Sequence, residues 1–387
     1  MNNLIDWMRA IRREIHRHPE LGFNEHKTAA LITAKLAELG IEFKTGIAQT
    51  GVAGFLGTYG PVVAMRADMD ALPVTECTGL SFASETPGVM HACGHDGHVA
   101  IVLGAAALLK EDPPDGRVVF IFQPNEEGSG GAKPMIAEGI LDGVDAIFAG
   151  HIDPRFEPGK IILTPGVNTA YTDGFDVEIT GRAGHAARPH EAVDAVVIAC
   201  SMVMQIQSII SRSVDPLKPA VITIGEMKGG TVNNIIAGHC LLKGTIRTLD
   251  DGTRHLIFEK LKLLALSLEA LHGATIGIKF HDGYPPLINH PGQFESAQEA
   301  AALVSGSDNV VIYPTPSMGG EDFAFFLEKV PGCFVRFGAR KKGHEGFPLH
   351  NPNFDFDEEA LKTAAEFMAN AVRIEIKKLA LKLTDSH

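Results

Sequence analysis

The chain has 387 residues, 45% of them hydrophobic and 21% charged, which predicts substantial cores and two domains. Its formal charge of −13, with no long run of lysine or arginine, argues against nucleic-acid and anionic-membrane partners. No apolar stretch approaches the roughly 20 residues of a spanning helix, and the five cysteines (Cys77, Cys93, Cys200, Cys240, Cys333) are too dispersed for a disulfide framework, so a cytoplasmic location is expected.

From residue 4 to 39 the apolar spacing predicts two helices, parted at Pro19 and Gly22 and closed by Gly40. Strands are predicted at 62–65, 118–122 and 146–148, with a helix at 98–109. That alternation predicts an α/β layer around a largely parallel sheet. After Pro165 the character changes: Phe175, Val177 and Ile179 alternate with Asp176 and Glu178, as in a strand with one wet face. A helix at about 191–210 follows, then strands at 220–224 and 240–246, a helix at 253–271 and a strand at 275–280. The order β-α-β-β-α-β is that of a ferredoxin-like unit. The α/β pattern resumes with a helix after Pro291, strands near Val310 and at 333–337, and a last helix from Asp357 to about Lys378. The expected fold class is α/β with two domains: a mixed-sheet α/β domain from 1–171 and 285–387, interrupted by a ferredoxin-like domain at 172–284.

In open α/β sheets, ligands bind beyond the carboxyl ends of the strands. RADMDALP (66–73), QPNEEG (123–128) and GHIDP (150–154) each follow a predicted strand, and MHACGHDGH (90–98) precedes a helix. Cys93, His95, His151 and one of Glu126 and Glu127 are donors that suit zinc or manganese. Neighbours in extended backbone point to opposite sides. One glutamate can therefore bind metal while the other faces water, the two parts that metal-activated hydrolysis needs. On the residues alone the glutamate pair also reads as a solvated acidic loop, His350 as a surface histidine, and Asp70 as a turn residue or a carboxylate that orients a ligand histidine. Asp96 reads as a helix cap or a supporting contact.

Taken together, HRHPELGFNE (16–25), RADMDALP, MHACGHDGH, FQPNEEGSGGA, GRAGHAARPH (181–190), GGTVNNIIAG, GTIRTLD, MGGEDFAFF (318–326) and PLHNP resemble the M20 metallopeptidases, specifically the subfamily D amidohydrolases. The resemblance spans essentially the whole chain. It implies a two-metal catalytic domain interrupted by a lid that also mediates dimerisation. By motif, the metal ligands would be Cys93, His95, Glu127, His151 and His350, with Glu126 as general base and Asp70 as supporting carboxylate. His185 resembles the lid histidine that reaches the neighbouring subunit's site, Asn234 and Arg247 resemble lid residues that bind the substrate carboxylate, and Gly319 resembles a glycine lining the substrate pocket. The implied activity is hydrolysis of N-acyl amino acids by a homodimer or higher homo-oligomer with two divalent ions per subunit, zinc or manganese, with cobalt or nickel as options. The alternatives are a dipeptidase or carboxypeptidase, and a non-catalytic metal-dependent binding protein. The chain departs from the pattern at Asp68, where many members have a ligand histidine, at Asn125, and in GHIDPRFEPGK and NNIIAG.

Overall fold

The computed structural model describes residues 4–343 and 347–384. These fall into two units: one takes the chain up to Asn168, Leu287–Thr315 and everything from Asp322 on, the other Thr169–Pro286 and Pro316–Glu321. The short segment Pro316–Glu321 groups with the second unit, where Ala170 N donates to Gly319 O at 3.1 Å.

The first unit opens with α1 (Leu4–Arg17), α2 (His26–Glu38), β1 (Glu42–Ile47), β2 (Gly51–Leu56), β3 (Val62–Asp68), α3 (His95–Glu111), β4 (Arg117–Gln123), α4 (Ala132–Ala137), β5 (Ala146–Asp153) and β6 (Ile161–Leu163). The second unit holds β7 (Tyr171–Thr180), β8 (Gly184–His185), α5 (Ala195–Ser213), β9 (Ala220–Gly229), β10 (Ile235–Ile236), β11 (His239–Thr248), α6 (Asp251–His272) and β12 (Thr275–His281). The chain then returns to the first through α7 (Pro291–Ser305), β13 (Val310–Ile312), α8 (Ala324–Leu327), β14 (Gly332–Gly338) and α9 (Ala360–Thr384).

Eight strands form the main sheet, in the order β1-β2-β4-β3-β5-β14-β6-β13. Its centre, β4-β3-β5-β14, is parallel, but β1-β2-β4 and β14-β6 pair antiparallel, so the sheet is mixed rather than largely parallel. The β1–β2 hairpin escapes sequence reading because β1 is exposed along five of its six residues and shows no apolar alternation. The central strands read clearly: β3 is buried throughout, as a strand covered on both faces should be. Helix α3 packs against α1 and α9, and nearly all of it is buried. Each fully buried Val, Leu or Ile there contributes roughly 1.5–3 kcal/mol.

In the second unit β7, β9, β11 and β12 form an antiparallel sheet ordered β12-β7-β11-β9. Helices α5 and α6 bury Ile198, Met202, Ile206, Ile257, Leu261 and Leu268 in the same core as Phe175, Val177 and Leu242. Among the described residues α5 is, by length and composition, apolar enough to cross a membrane, which corrects the expectation that no stretch approaches that length. Its buried face packs in this core while Gln205, Gln207 and Ser208 are exposed.

Candidate active site

Loops at the carboxyl ends of β3, β4 and β5 meet the start of α3. Ala71 N donates to Glu20 O at 2.9 Å, and Leu72 and Met90 exchange two backbone bonds at 3.0 Å, which seats RADMDALP beside MHACGHDGH. Gly94, at φ 91°, turns the chain into α3 in a conformation a side chain disfavours. The helix therefore begins at His95, three residues before the predicted start. Asp96 does not cap it; no side-chain cap bond is present, and Asp96 Oδ2 instead accepts from Arg12 Nε and His16 Nδ1, both at 2.8 Å. Strand β5 continues to Asp153, so His151 is a strand residue facing Arg336 of β14 rather than part of a loop. His350 enters from far along the chain, its backbone N donating to Ala92 O at 2.7 Å.

Glu126 and Glu127 lie in a turn, not in the extended backbone expected, because Asn125 adopts φ 55° directly before them. Asn125 is held there by Glu25, whose Oε1 accepts from Asn125 N at 2.9 Å. The carboxylates still meet different partners. Glu127 Oε1 lies 3.1 Å from His350 Nε2, and Glu126 Oε1 accepts from Asp322 N at 3.3 Å.

The hydrogen-bond partners sort the histidines. His95 Nδ1 faces only acceptors, Asp70 O at 3.0 Å and Asp70 Oδ1 at 3.3 Å, so it carries a proton and Nε2 is the nitrogen turned toward the donor group. Burial lowers the imidazole pKa, but Asp68 outweighs it and raises it well above its usual range, so a cation would displace the Nε2 proton. That Nε2 is buried and finds no hydrogen-bond partner among the described residues. His151 Nδ1 donates to Ile152 O at 2.7 Å, leaving its Nε2 facing Cys93 Sγ at 3.3 Å. This is how metal-binding imidazoles are oriented. His98 is the opposite case. Its Nε2 accepts from Ile152 N at 2.9 Å and its Nδ1 donates to Asp68 Oδ1 at 2.5 Å, so no lone pair remains for an ion. Asp70 joins the two halves, since its Oδ2 also accepts from Glu127 N at 3.0 Å.

Candidate donor atoms gather in overlapping groups whose members lie within 4.8 Å of one another: Cys93, His95 and His151; Cys93, Glu127 and His350; and His95, Glu126 and Glu127. Burial, with His98 adding to it, pushes the His151 imidazole down to about 3, so it is neutral with a free lone pair. Burial opposes ionisation of Glu127, but the hydrogen bond with His350 and the charge on His95 hold it at about 2. Burial and the neighbouring Glu127 push the Cys93 thiol well up. A cation among these atoms reverses that last effect, because thiolate is the form that binds metal. Sulfur, imidazole and carboxylate donors with an orphaned buried nitrogen fit a divalent ion.

In the second unit, His185 on β8 pairs with Ile235 of β10, and Ala186 N donates to Asn234 O at 3.1 Å, so His185 and Asn234 are neighbours. Both are exposed. Arg247 lies on β11, half-buried, with Nη1 donating to Ile246 O at 3.0 Å; Gly319 lies in the segment Pro316–Glu321. Glu25, Arg66, Asp68 and Asp322 sit inside the same motifs, but motif spacing gives none of them a role. All four are buried around the donor set. The signal for them is an arginine at the end of an apolar strand, directly before the aspartates of RADMDALP.

Such donors at the carboxyl ends of the parallel central strands of a mixed sheet, with a second carboxylate alongside, define a metal-dependent hydrolase. The chain belongs to the peptidase family M20/M25/M40, which matches residues 64–374. It is 40% identical over 367 residues to the N-acetyl-L-cysteine deacetylase of Bacillus subtilis, covering 94% of this chain and 86% of that protein. It is also 40% identical over 370 residues to thermostable carboxypeptidase 1 of Saccharolobus solfataricus, covering 93% of each. The crystal structure of the YXEP protein of Bacillus subtilis, described as a dinuclear metal binding peptidase of the M20 family, matches with a TM-score of 0.86 at 34% identity, over 97% of this chain and 99% of that one.

Proposed function

We propose that the protein is a metal-dependent amidohydrolase that splits N-acyl amino acids into a carboxylic acid and a free amino acid. The observation that carries this reading is the sorted donor set: two imidazoles held through protonated Nδ1 with Nε2 turned to the other donors, one thiol and one carboxylate, beside a second carboxylate. Cys93, His95, Glu127, His151 and His350 would hold two divalent ions, zinc or manganese by donor type, with Cys93 shared between groups. When bound, such ions supply Lewis-acid polarisation and make water acidic enough to react near neutral pH. Glu126 takes the proton of the attacking water and returns it to the leaving amine. Asp70 fixes the His95 tautomer and holds the backbone of Glu127. The second unit is read as a ferredoxin-like lid and dimerisation domain at 172–284, inserted between catalytic segments 1–171 and 285–387. There His185 would stabilise the oxyanion in a neighbouring subunit and Asn234 and Arg247 would bind the substrate's carboxylate end, while Gly319, in the second catalytic segment, would line the substrate pocket.

A peptidase reading is favoured by one observation, the equal identity to an archaeal carboxypeptidase. The test is metal-stripped protein reconstituted separately with zinc, manganese, cobalt and nickel, assayed on N-acetyl amino acids, N-benzoyl amino acids and dipeptides. Release from the N-acyl substrates supports the proposal, and preference for dipeptides supports the peptidase. Stoichiometric metal with no amide hydrolysis across the panel refutes both.

A further inference from the structure

Asp322, in MGGEDF, is fully buried and belongs to the first unit. Its Oδ1 accepts from Arg66 Nη2 and Gln123 Nε2, both at 2.8 Å. Its Oδ2 accepts from Gln123 Nε2 at 2.7 Å and from the backbone N of Gly131 and Ala132, both at 3.0 Å. Gln123 ends β4, and Ala132 begins α4. One carboxylate therefore ties together both ends of the segment that carries Glu126 and Glu127. The segment closes tightly there, since a Cβ on Gly131 would lie 1.8 Å from Pro124 O. The backbone N of Asp322 itself donates to Glu126 Oε1 at 3.3 Å. Arg66 extends the network, with Nε donating to Gln123 Oε1 at 2.8 Å and Nη1 to Asp68 Oδ2 at 2.6 Å.

We propose that Asp322 is the positioning residue that strings the 123–132 segment to the sheet and acts on the reaction through Glu126. The inference rests on the reading of Glu126 as general base. Every atom that meets the Asp322 side chain in these bonds is a donor, so an ionised carboxylate satisfies all of them and an amide does not. Asp322→Asn sets an NH₂ group against N–H donors and loosens the segment.

In metal-loaded enzyme, Asp322→Asn lowers kcat roughly 10–100-fold, the scale of a displaced catalytic group, while KM and metal content stay near wild type. In a Glu126→Gln background the same change alters kcat by less than about twofold, because a group acting through Glu126 has nothing left to act upon. Hydrogen exchange supplies a readout independent of activity: amides of Gly131 and Ala132 lose protection in Asp322→Asn, while those of β3 and β5 keep theirs. Equal losses in the two backgrounds, or equal deprotection across the sheet, overturn the proposal. If Asp322→Asn does not fold, Gln123→Met removes two of the five bonds and is read in the same way. Full activity in Glu126→Gln refutes the base assignment instead, and the exchange measurement still decides whether Asp322 holds the segment.

Discussion

Replacing Arg12 with methionine tests the link between the N-terminal helix and the candidate site. Arg12 is buried, with Nε on Asp96 at 2.8 Å, Nη2 on Asp355 at 2.8 Å and Nη1 on Glu358 at 3.2 Å, and its guanidinium lies 4.3 Å from the Phe356 ring centroid. Breaking a buried ion pair by removing one partner typically destabilises by about 3–5 kcal/mol, because it strands the other charge. Here neither aspartate is stranded completely. Asp96 keeps His16 Nδ1 at 2.8 Å, and Asp355 keeps Lys341. Methionine also retains much of the packing, so the low end, about 3 kcal/mol, is expected. At roughly 2–4 °C per kcal/mol this lowers the melting temperature by about 6–12 °C. The pH dependence has a definite sign. Burial disfavours ionised Asp96, but Arg12 and His16 outweigh it and hold its carboxyl far below the usual range. A depressed carboxyl contributes stability that is present above its unfolded pKa, near 3.9, and lost as pH falls through the folded value. Without Arg12 the folded pKa of Asp96 rises, so the gap between wild type and variant is full at pH 7 and narrows as pH falls from about 4 through the variant's folded value. Urea titrations at pH 7 and across that acid range measure it, and adding Asp96→Asn to Arg12→Met should recover part of the loss. A loss below about 1 kcal/mol at pH 7, or a gap that widens on acidification, refutes the argument.

The remaining predictions concern the donor set. Glu126→Gln lowers kcat by roughly 10²–10⁴-fold with metal content unchanged, read by steady-state kinetics and elemental analysis. Cys93→Ala loses metal and activity together, whereas His91→Ala, outside the donor groups, retains metal; the reverse pattern overturns the ligand assignment. In metal-stripped protein at pH 7, Cys77 and Cys200 are exposed and Cys93, Cys240 and Cys333 are buried, so two thiols should titrate rapidly with a disulfide reagent and three slowly. Mass spectrometry of the labelled peptides checks this, and rapid labelling of Cys93 contradicts the burial argued for it.

The central strands and the long helices are legible in the sequence because burial imposes a pattern. β3, β4 and β5 are short apolar runs, and the run-on from Val62 into RADMDALP locates the end of the sheet that carries the site. What escapes is what side chains and tertiary contacts decide. The exposed hairpin strand β1 has no apolar face to announce it, and β5 lengthens through His151 because β14 pairs alongside it. Apolar spacing misplaces the start of α3 because Gly94 at positive φ sets it, and Asp96, a natural cap by residue type, is drawn away by the buried Arg12. The glutamate pair reads as extended; a non-glycine residue at φ 55° makes it a turn, which no periodicity reveals.

Spacing alone does not rank the three histidines of MHACGHDGH, since each is a chemically competent donor. The structure ranks them by what occupies their nitrogens and by the donors around them: both His91 nitrogens are buried without a hydrogen-bond partner among the described residues, but His91 lies in no donor group. His98 has both committed, one to a backbone N–H and one to Asp68. His95 has one committed to Asp70 and the other buried without a hydrogen-bond partner. An ion is the species that satisfies a buried, unpartnered nitrogen beside a thiol and a carboxylate, so among His91, His95 and His98 only His95 joins the group with Cys93 and His151. His98 plays a different part, since its Nδ1 proton ties Asp68 and Arg66 to β5. Replacing His98 should therefore lower stability while leaving metal stoichiometry close to that of the wild type, the reverse of what replacing His95 does.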